Sequence, residues 1–370
     1  MKLVLKPRGV PTRIESIGSI FTAEKKVRSP RRFHDSPFDV SVEPGFSRLR
    51  TSERLDPNHQ PECETRMRFM MLIKSDAQTE AGVMPDEKIL TAMGKYNEEL
   101  VKAGALLAGE GLHPSSKGFR IHNTAGKLTV TDGPFAETNE LIAGFWMIEA
   151  KSMEEAIEWA KRVPFDADGP SATTGGTGQI EIRQVTEFSD FPPDFFESGE
   201  AGQESDAPGG NPGATGPEIQ PPTPDGKPKL RYMMMFKADK NTEAGILPDK
   251  KVFDEMGKAM GAMAAAGVLI NGEGLQPSSK GARVQFSQGK RIVTDGPFAE
   301  TKELICGYVI VQVDSKEEAI EWAKRGLKIH GDGESEARQV FQASDFGAEF
   351  TPELREAEER MREQIRQSSK

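Results

Sequence analysis

The chain has 370 residues, of which 36% are hydrophobic, and it carries a formal net charge of −10 at pH 7. This length predicts about two domains, and the low hydrophobic content indicates folded parts joined by solvated segments. The negative net charge argues against nucleic acid as a partner. No apolar run is long enough to span a bilayer. The chain has 2 cysteines, which are too few for a disulfide framework or a four-ligand zinc site. We therefore expect a protein of the reducing cytoplasm, with no membrane partner, no metal and no cofactor.

An internal duplication sets the organisation of the chain. When the sequence is shifted by 163 positions, residues 67–162 align with residues 230–325 without a gap, and 53 of these 96 positions are identical. The segments outside the duplicated part are rich in Pro, Gly, Ser or charged residues. We predict five parts: a disordered arm (1–65), a first repeat (66–189), a Pro- and Gly-rich linker (190–228), a second repeat (229–346) and a charged tail with helical character (347–370).

Both repeats predict the same order of elements. In chain order the first repeat contains a strand ("RFMMLIK"), a helix from Pro85-Asp86 to Gly104, a strand ("ALLAGEGL"), a hairpin turning at Ala125-Gly126, a strand ("ELIAGFWMIEA"), a helix capped by Ser152 and a closing strand ("IEIRQV"). Four main antiparallel strands with two intervening helices are typical of a ferredoxin-like α+β sandwich. Such a sheet carries helices on one face only, so we predict that the two repeats pack sheet to sheet as an intramolecular pseudo-dimer.

Side-chain alternation assigns the two faces of the first strand. Phe69 and Met71 belong to an apolar set that should meet the helices, whereas the other set begins with Arg68 and ends with Lys74. We predict that this second set faces the partner sheet, with its two cations near the rim. The second repeat has the same alternation, and Lys237 is its counterpart of Lys74.

The next strand carries an acid in an apolar setting. Glu110 shares a predicted face with Leu106 and Leu112, and Glu273 has the equivalent place in the second repeat. Each glutamate stands between two glycines, which indicate a bulge or a close approach by backbone or ligand. A carboxylate there must be paired, protonated or solvated, and we expect the lysines that end the two first strands to be the partners. Two interpretations stay open, a structural ion pair and an acid that faces a ligand.

The nonapeptide "VTDGPFAET" occurs at residues 130–138 and again at 293–301. Gly and Pro stop a strand and the Phe is predicted to enter the core, which explains the middle letters mechanically. The recurrence of Asp132, Glu137 and Thr138 has no such explanation, whereas residues on the exposed faces of the predicted helices differ between the two copies. These polar residues are therefore candidates for a functional site.

A second polar loop is retained as "GEGLHPSSKG" and "GEGLQPSSKG", and an Arg follows each copy. Its Ser, Lys and Arg could bind an anion, although the order of a Walker loop and a full dinucleotide fingerprint are both absent, and a solvated connector is the alternative. Together with the nonapeptide, this loop predicts one polar site at the end of each repeat. Its residues are Lys117, Arg120, Asp132 and Glu137 in the first repeat, and Lys280, Arg283, Asp295 and Glu300 in the second.

The stretches "LLAGEGLHPSSKG", "TVTDGPFAETNELIAGFWMIEA" and "SMEEAIEWAKR" resemble the YCII-related family, specifically its DGPF branch. The resemblance covers both repeats and implies a ferredoxin-like α+β fold of the dimeric α/β-barrel type. It implies no settled activity, because some members carry a His-Asp pair proposed as catalytic and others occur with sigma factors, which gives them loose labels about transcription.

This chain departs from the His-Asp pattern, since His113 and His122 have Gln276 and Gln285 at the equivalent places. A histidine base common to both repeats is therefore not expected. Acid–base chemistry would fall to acidic residues whose pKa is raised by burial. The candidates are Asp132, Asp295, Glu110 and Glu273.

Three functions remain open at this point. In the first, each cleft between the sheets binds an anionic or carbonyl-containing small molecule, and the protein is a cofactor-independent isomerase or lyase in which a carboxylate moves a proton. In the second, the same clefts serve a non-catalytic ligand-binding or regulatory module, and in the third the chain is an interaction scaffold. Lys74, Lys237 and the charged residues of the two loops would bind the ligand. Further association of chains through free sheet edges is also open.

Overall fold

A computed structural model describes most of the two repeats and the tail. The described residues are 66–136, 141–165, 177–195, 228–287, 289–299, 303–347 and 350–368. The predicted arm (1–65) and most of the predicted linker lie outside them, as do Glu137 and Glu300 of the predicted polar sites.

The first repeat has the predicted order of strands and helices, with one additional short helix after the first strand. Its elements are β1 (Met67–Lys74), α1 (Ala77–Glu80), α2 (Glu87–Lys102), β2 (Leu106–Gly111), β3 (Phe119–Thr124), β4 (Lys127–Asp132), β5 (Ile142–Ala150), α3 (Met153–Lys161) and β6 (Thr177–Gln184). Asp86 caps α2 by accepting a hydrogen bond from the Ile89 N–H at 2.8 Å. The β3–β4 hairpin turns at Ala125 and Gly126, both of which have positive φ, as a type I′ turn requires.

The second repeat follows the same order, and a helix ends the chain. Its elements are β7 (Leu230–Lys237), α4 (Lys240–Glu243), α5 (Lys250–Ala265), β8 (Leu269–Gly274), β9 (Ala282–Ser287), β10 (Lys290–Asp295), β11 (Ile305–Val313), α6 (Lys316–His330) and β12 (Gly333–Gln339), followed by α7 (Pro352–Ser368).

The two repeats exchange a hairpin. The twelve strands form two six-stranded antiparallel sheets in the orders β10-β9-β6-β1-β5-β2 and β4-β3-β12-β7-β11-β8. The β3–β4 hairpin of the first repeat therefore lies in the sheet of the second, where Phe119 is opposite Ala337. The β9–β10 hairpin makes the reciprocal exchange, with Ala282 opposite Ile182. Each sheet thus needs strands from both repeats, so the pseudo-dimer is intertwined rather than simply stacked.

The predicted faces of β1 are confirmed. Phe69 and Met71 are buried in a cluster with residues of α2 and α3. Met70 and Leu72 are buried with Met233 and Met235 of the other repeat, between the two sheets. Full burial of each such side chain contributes roughly 1.5–3 kcal/mol, so the sheet-to-sheet contact is a main source of stability.

The strand β2 departs from simple alternation. Its pairing with β5 shifts register between Leu106 and Ala108. Leu106 consequently packs on the helix side of the sheet, whereas Leu112 packs between the sheets. The prediction that Leu106 shares a face with Glu110 and Leu112 is therefore wrong, because a bulge inverts the alternation within this strand.

The segments that follow the closing strands are exchanged as well. After β12, the chain crosses to the first repeat, where α7 packs against α2 and buries Met361. After β6, Phe191 and Phe195 pack on Phe253 of α5 in the second repeat, with ring centroids 5.2 Å apart in each pair. Each repeat thus covers the first long helix of the other.

Candidate functional site

The repeated Gly-Pro-Phe letters have a packing explanation. Both Gly-Pro bonds are cis, and a Cβ atom on Gly133 would collide with the backbone oxygen of Ser115. The Phe135 N–H donates to the Ser115 hydroxyl at 3.0 Å. The second copy repeats the arrangement, since the Phe298 N–H donates to Ser278 at 3.1 Å. The nonapeptide and the Ser-Ser-Lys loop are thus two halves of one packed unit, and this close approach excludes any residue but glycine at Gly133.

The predicted polar site of the first repeat is divided by the sheet. Asp132 lies opposite Phe119 in the β3–β4 pair, so its side chain shares a face with Phe119 and not with the neighbouring Arg120. Asp132 is 69% exposed and pairs with Lys316 at 2.7 Å. Arg120 instead faces the other sheet and bonds Glu336 at 2.9 Å. The prediction that Arg120 and Asp132 converge on one site is wrong, because adjacent residues of a strand point to opposite faces.

A buried charge cluster lies where the first sheet meets the exchanged hairpin. Glu181 of β6 is 1% exposed and contacts three cations, Arg283 at 2.9 Å, Arg183 at 3.2 Å and Lys74 at 3.5 Å. Burial by itself would raise the pKa of Glu181, but the three cations hold that pKa below its usual value. Arg183 also binds Glu243 at 3.3 Å. We call these five residues the first charge cluster.

The second charge cluster is the counterpart in the other sheet. Glu336 contacts Arg120 at 2.9 Å, Arg338 at 3.3 Å and Lys237 at 4.0 Å, and Arg338 binds Glu80 at 2.7 Å. In both clusters the arginine from the exchanged hairpin binds the closing strand of the other repeat. The two lysines therefore pair with the glutamates of the closing strands.

Glu110 and Glu273 pair with arginines of the opposite repeat, not with the lysines expected from the sequence. Glu110 lies 2.5 Å from Arg231, and Glu273 lies 2.5 Å from Arg68. The expected lysine partners are wrong because each edge strand meets the beginning of the other repeat's first strand across the sheets. Strand alternation placed Arg68 and Arg231 on the correct face, but the pairing across repeats depends on how the sheets are aligned.

The two glutamate sites differ in charge balance. Arg68 is shared between Glu273 and Glu187, which it binds at 2.7 Å. Burial raises the pKa of Glu273, and Glu187 adds to this effect against the opposing influence of Arg68. Glu110 instead meets a second cation, Arg362 of α7, at 3.7 Å.

The surroundings of Glu273 are also more polar. Tyr308 is paired with Glu273 across β11 and β8, and its hydroxyl accepts a hydrogen bond from the Asn271 side chain at 3.3 Å. Burial, and secondarily Glu273, raise the pKa of Tyr308 well above its usual range, so the phenol stays protonated. The first repeat has Phe145 and Ala108 at these two places.

Each glutamate lines a cavity. Cavity 1, of about 840 Å³, lies between α2, β2 and α7 and is lined by Glu110. Cavity 2, of about 1630 Å³, lies between α5, β8 and the end of α6, and its lining includes Glu273, Tyr308 and Lys237. The clefts predicted between the sheets need correction, because apolar side chains fill that space. The cavities instead extend from the helix-covered faces around the edge strands β2 and β8.

Apolar side chains are exposed at the mouth of both cavities. Val83 and Met84 are 52% and 36% exposed beside cavity 1, and Ile246 and Leu247 are 59% and 37% exposed beside cavity 2. Both pairs follow a glycine with positive φ and precede a Pro-Asp that begins the long helix. The sequence retains the apolar pair in each repeat, although periodicity could not tell that it is exposed.

The structure brings together a histidine and an aspartate that the sequence analysis did not connect. The buried His113 contacts Asp345 at 3.0 Å and packs against the Phe341 ring in a tilted arrangement, with ring centroids 3.9 Å apart. Burial lowers the pKa of His113 and keeps the ring neutral, against the opposing effect of Asp345. Neither residue of the pair lines cavity 1 or cavity 2. The pair instead anchors the segment that leads to α7, and 232 positions of separation hide it from local sequence patterns.

The described part of the chain lacks metal-ligand clusters and membrane-spanning helices. It contains no group of three or more His, Cys, Asp or Glu residues placed to hold a metal ion, and none of its helices is both long and apolar enough to span a membrane. Burial raises the pKa of the Cys306 thiol to about 11, which disfavours the reactive thiolate.

Comparisons with known proteins identify the family. A protein of Rhizobium meliloti (strain 1021), described only as uncharacterized, is 32% identical over 100 residues, which are 27% of this chain and 75% of the relative. Among solved structures, two mutants of chlorite dismutase from Candidatus Nitrospira defluvii are similar to this chain. The first aligns with a TM-score of 0.33 at 8% identity and covers 80% of this chain and 95% of its own. The second aligns with a TM-score of 0.29 at 9% identity and covers 82% of this chain and 96% of its own. The YCII-related domain matches residues 67–189 and 230–344, so the chain belongs to the YCII-related family.

Proposed function

We propose that the protein binds small molecules in cavity 1 and cavity 2. The observation that carries this proposal is the duplicated design of the cavities, in which each combines a helix wall, an apolar mouth and a buried carboxylate–guanidinium pair. Pockets for small molecules are mostly apolar, hold a few fixed polar groups and span roughly 300–1,000 Å³. Cavity 1 fits this size, and cavity 2 would admit a larger molecule.

The exposed apolar mouths support binding rather than a purely structural role. Five of the eight large apolar side chains that are exposed in the described chain line the two cavities: Val83, Met84, Phe188, Ile246 and Leu247. Contiguous exposed apolar surface is a mark of binding sites. The ligand we propose therefore has an apolar part at the mouth and a polar group at the inner carboxylate–guanidinium pair.

The charges favour different ligands in the two cavities. Three basic and three acidic side chains line cavity 1, including Arg362 and Arg366 of α7. Four basic and seven acidic side chains line cavity 2. The anionic ligand expected from the sequence is therefore proposed for cavity 1 only.

A second candidate function, proton transfer, is favoured for cavity 2 by its polar groups. An effective acid or base needs a pKa near the working pH, and Glu273 has a raised pKa beside Tyr308 and Asn271. We propose that Glu273 is the acid–base residue of a cofactor-independent isomerase or lyase, and that cavity 1 binds without chemistry. Asp132 and Asp295 are not assigned this role, since neither lines a cavity. A regulatory module would fill the same cavities without turnover, and the cytoplasmic location stays a prediction.

Ligand capture with a cavity-filling variant tests the proposal. Purified protein is mixed with a metabolite extract, and the compounds that stay bound are identified by mass spectrometry. Gly257 lines cavity 2 and has open space where a Cβ would stand, so Gly257→Leu should block capture there without a backbone clash. Its counterpart Gly94 also has open space but does not line cavity 1, so Gly94→Leu is the matched control.

The expected result is one or more compounds retained by the wild-type chain and by Gly94→Leu, and lost from Gly257→Leu. Retention of nothing above the blank, or equal retention by all three proteins, would contradict binding in cavity 2. For a retained compound, solvent deuterium entering a carbon position would show proton transfer, and binding without exchange would leave the non-catalytic alternative.

A further inference from the structure

The second charge cluster holds an amine that the proposed function does not use. Lys237 is the last residue of β7 and one of the residues that line cavity 2. Its side chain is 12% exposed, and the carboxylate of Glu336 lies 4.0 Å from its nitrogen. The side chain is thus largely removed from water, although the residue lines an open cavity.

Lys237 shares its nearest carboxylate with two other cations. Glu336 also binds Arg120 at 2.9 Å and Arg338 at 3.3 Å, and these arginines have further carboxylate partners, Glu334 at 3.5 Å and Glu80 at 2.7 Å. Burial lowers the pKa of Lys237, and Arg120 and Lys74 lower it further, against the opposing effects of Glu336 and Glu334. The net result is a pKa below the usual value of a lysine.

A lysine amine is a nucleophile only in its neutral form. Removal from water and proximity to other cations are the two arrangements that activate lysines for attack on carbonyl carbons. Lys237 has both, and cavity 2 offers the space for a carbonyl compound to approach. Phe236 and His330, which stack with ring centroids 4.4 Å apart, also line cavity 2.

We propose that Lys237 is a nucleophile that captures an aldehyde or ketone in cavity 2 as a Schiff base. The lone pair of the neutral amine forms a bond to the carbonyl carbon, and the carbonyl oxygen takes up a proton while the nitrogen loses one. The resulting hydroxyl then leaves as water with a second proton as the carbon–nitrogen double bond forms. Amine and carbonyl become imine and water, with no oxidant, reductant or cofactor.

This role goes beyond proton transfer by Glu273, because imine formation requires only the amine and the carbonyl compound. The first repeat supplies an internal comparison. Lys74 has the same place at the end of β1, but it is 4% exposed and lies nearer its carboxylate, 3.5 Å from Glu181. Its lower exposure and closer carboxylate make Lys74 the internal comparison for the labelling of Lys237.

Reductive trapping tests the proposal on the full-length protein. The chain is incubated with benzaldehyde at neutral pH, sodium cyanoborohydride reduces any imine to a stable secondary amine, and peptide mass mapping locates the label. We expect Lys237 to be labelled at least about ten-fold faster than Lys74, because activation rests on the neutral fraction of the amine. Equal labelling of the two lysines would overturn the proposal, as would label found mainly on exposed lysines such as Lys102, which is 73% exposed.

Two variants complete the test. Lys237→Arg keeps the positive charge but lacks the amine, so the early label should vanish, whereas Lys74→Arg should keep it. Retention of the early label in Lys237→Arg would place it elsewhere and overturn the proposal. If circular dichroism shows that Lys237→Arg does not fold, the wild-type peptide map decides by itself.

Discussion

The two glutamate sites began as copies and now differ in the residues around a retained pair. Glu110 and Glu273 each keep an arginine partner from the opposite repeat. Glu273 lies near a second carboxylate and a phenol, whereas Glu110 lies near a second arginine, which belongs to α7. Three equivalent positions around the two glutamates carry different residues. Glu187, Tyr308 and Asn271 lie around Glu273, and Gln342, Phe145 and Ala108 are their counterparts around Glu110.

This comparison shows that two identical residues can have different chemical properties when their neighbours differ. The glutamate of the same Gly-Glu-Gly stretch meets two arginines in the first repeat, whereas in the second it shares one arginine with another carboxylate and has a raised pKa. The neighbours decide, because one additional carboxylate or guanidinium within a few Å changes the stability of the charged form. Conversely, the repeated nonapeptide is retained in part because two loops pack against each other.

The largest expected effect separates the two glutamates by activity. Glu273→Gln should slow proton exchange into a bound ligand by roughly 10²–10⁴-fold, because a positioned acid–base group contributes about that much. Glu110→Gln is the matched control, and it should leave exchange in cavity 2 unchanged. Deuterium incorporation measured by mass spectrometry checks both. Equal losses in the two variants would mean that the glutamates serve the fold in the same way and that the contrast between the sites is unimportant.

The two charge clusters, unlike the two glutamate sites, should respond alike. Glu181→Gln leaves three cations around a neutral group, and Glu336→Gln does the same in the other sheet. Breaking a buried ion pair costs roughly 3–5 kcal/mol, so each variant should lose stability of this order. Urea unfolding followed by circular dichroism gives the values. A loss within error of zero in either variant would show that water reaches that cluster.

The pH dependence of stability should have opposite signs for Glu273 and Glu181. The folded pKa of Glu273 is raised, so its contribution to the free energy of unfolding is complete below the ordinary value of 4.5 and is lost as the pH rises through the folded value. The folded pKa of Glu181 is lowered, so its contribution is complete above that ordinary value and is lost as the pH falls through the folded value.

Urea unfolding from about pH 2 to pH 8 checks both signs, and the free energy of unfolding of each Gln variant is subtracted from that of the wild type. The stability advantage of the wild type over Glu273→Gln should shrink as the pH rises, and its advantage over Glu181→Gln should grow. Glu187→Gln sharpens the first measurement, because removing this neighbouring charge should move the Glu273 transition to lower pH. Two differences of the same sign would refute the contrast.

The smallest expected effect concerns the aspartate of the nonapeptide. Asp132→Asn removes an ion pair on the protein surface, so the free energy of unfolding should change by only about 0–1 kcal/mol. Asp295→Asn is the companion variant in the other repeat. Ligand capture and deuterium exchange should be unaffected by either change. Loss of capture in both variants would restore the polar loop as a site and remove the reason to favour the cavities.

The sequence by itself determined the repeats, the order of their elements and the faces of β1. These features can be predicted because they depend on identity between the two copies and on the spacing of apolar residues, both of which are visible in the sequence itself. The Ala125-Gly126 turn and the entry of Phe135 into the core belong to the same class. Local rules also named Glu110 and Glu273 as unusual acids.

Only the tertiary structure decided how the copies combine. The exchanged hairpins, the pairing of Arg68 with Glu273 and the His113–Asp345 contact join residues that are distant in the chain. No periodicity or motif in the sequence identifies such partners, because two similar repeats offer each strand an equivalent edge in either sheet. The choice between these edges places the arginines of the exchanged hairpins in buried clusters, and it leaves the cavities at the sheet edges instead of between the sheets.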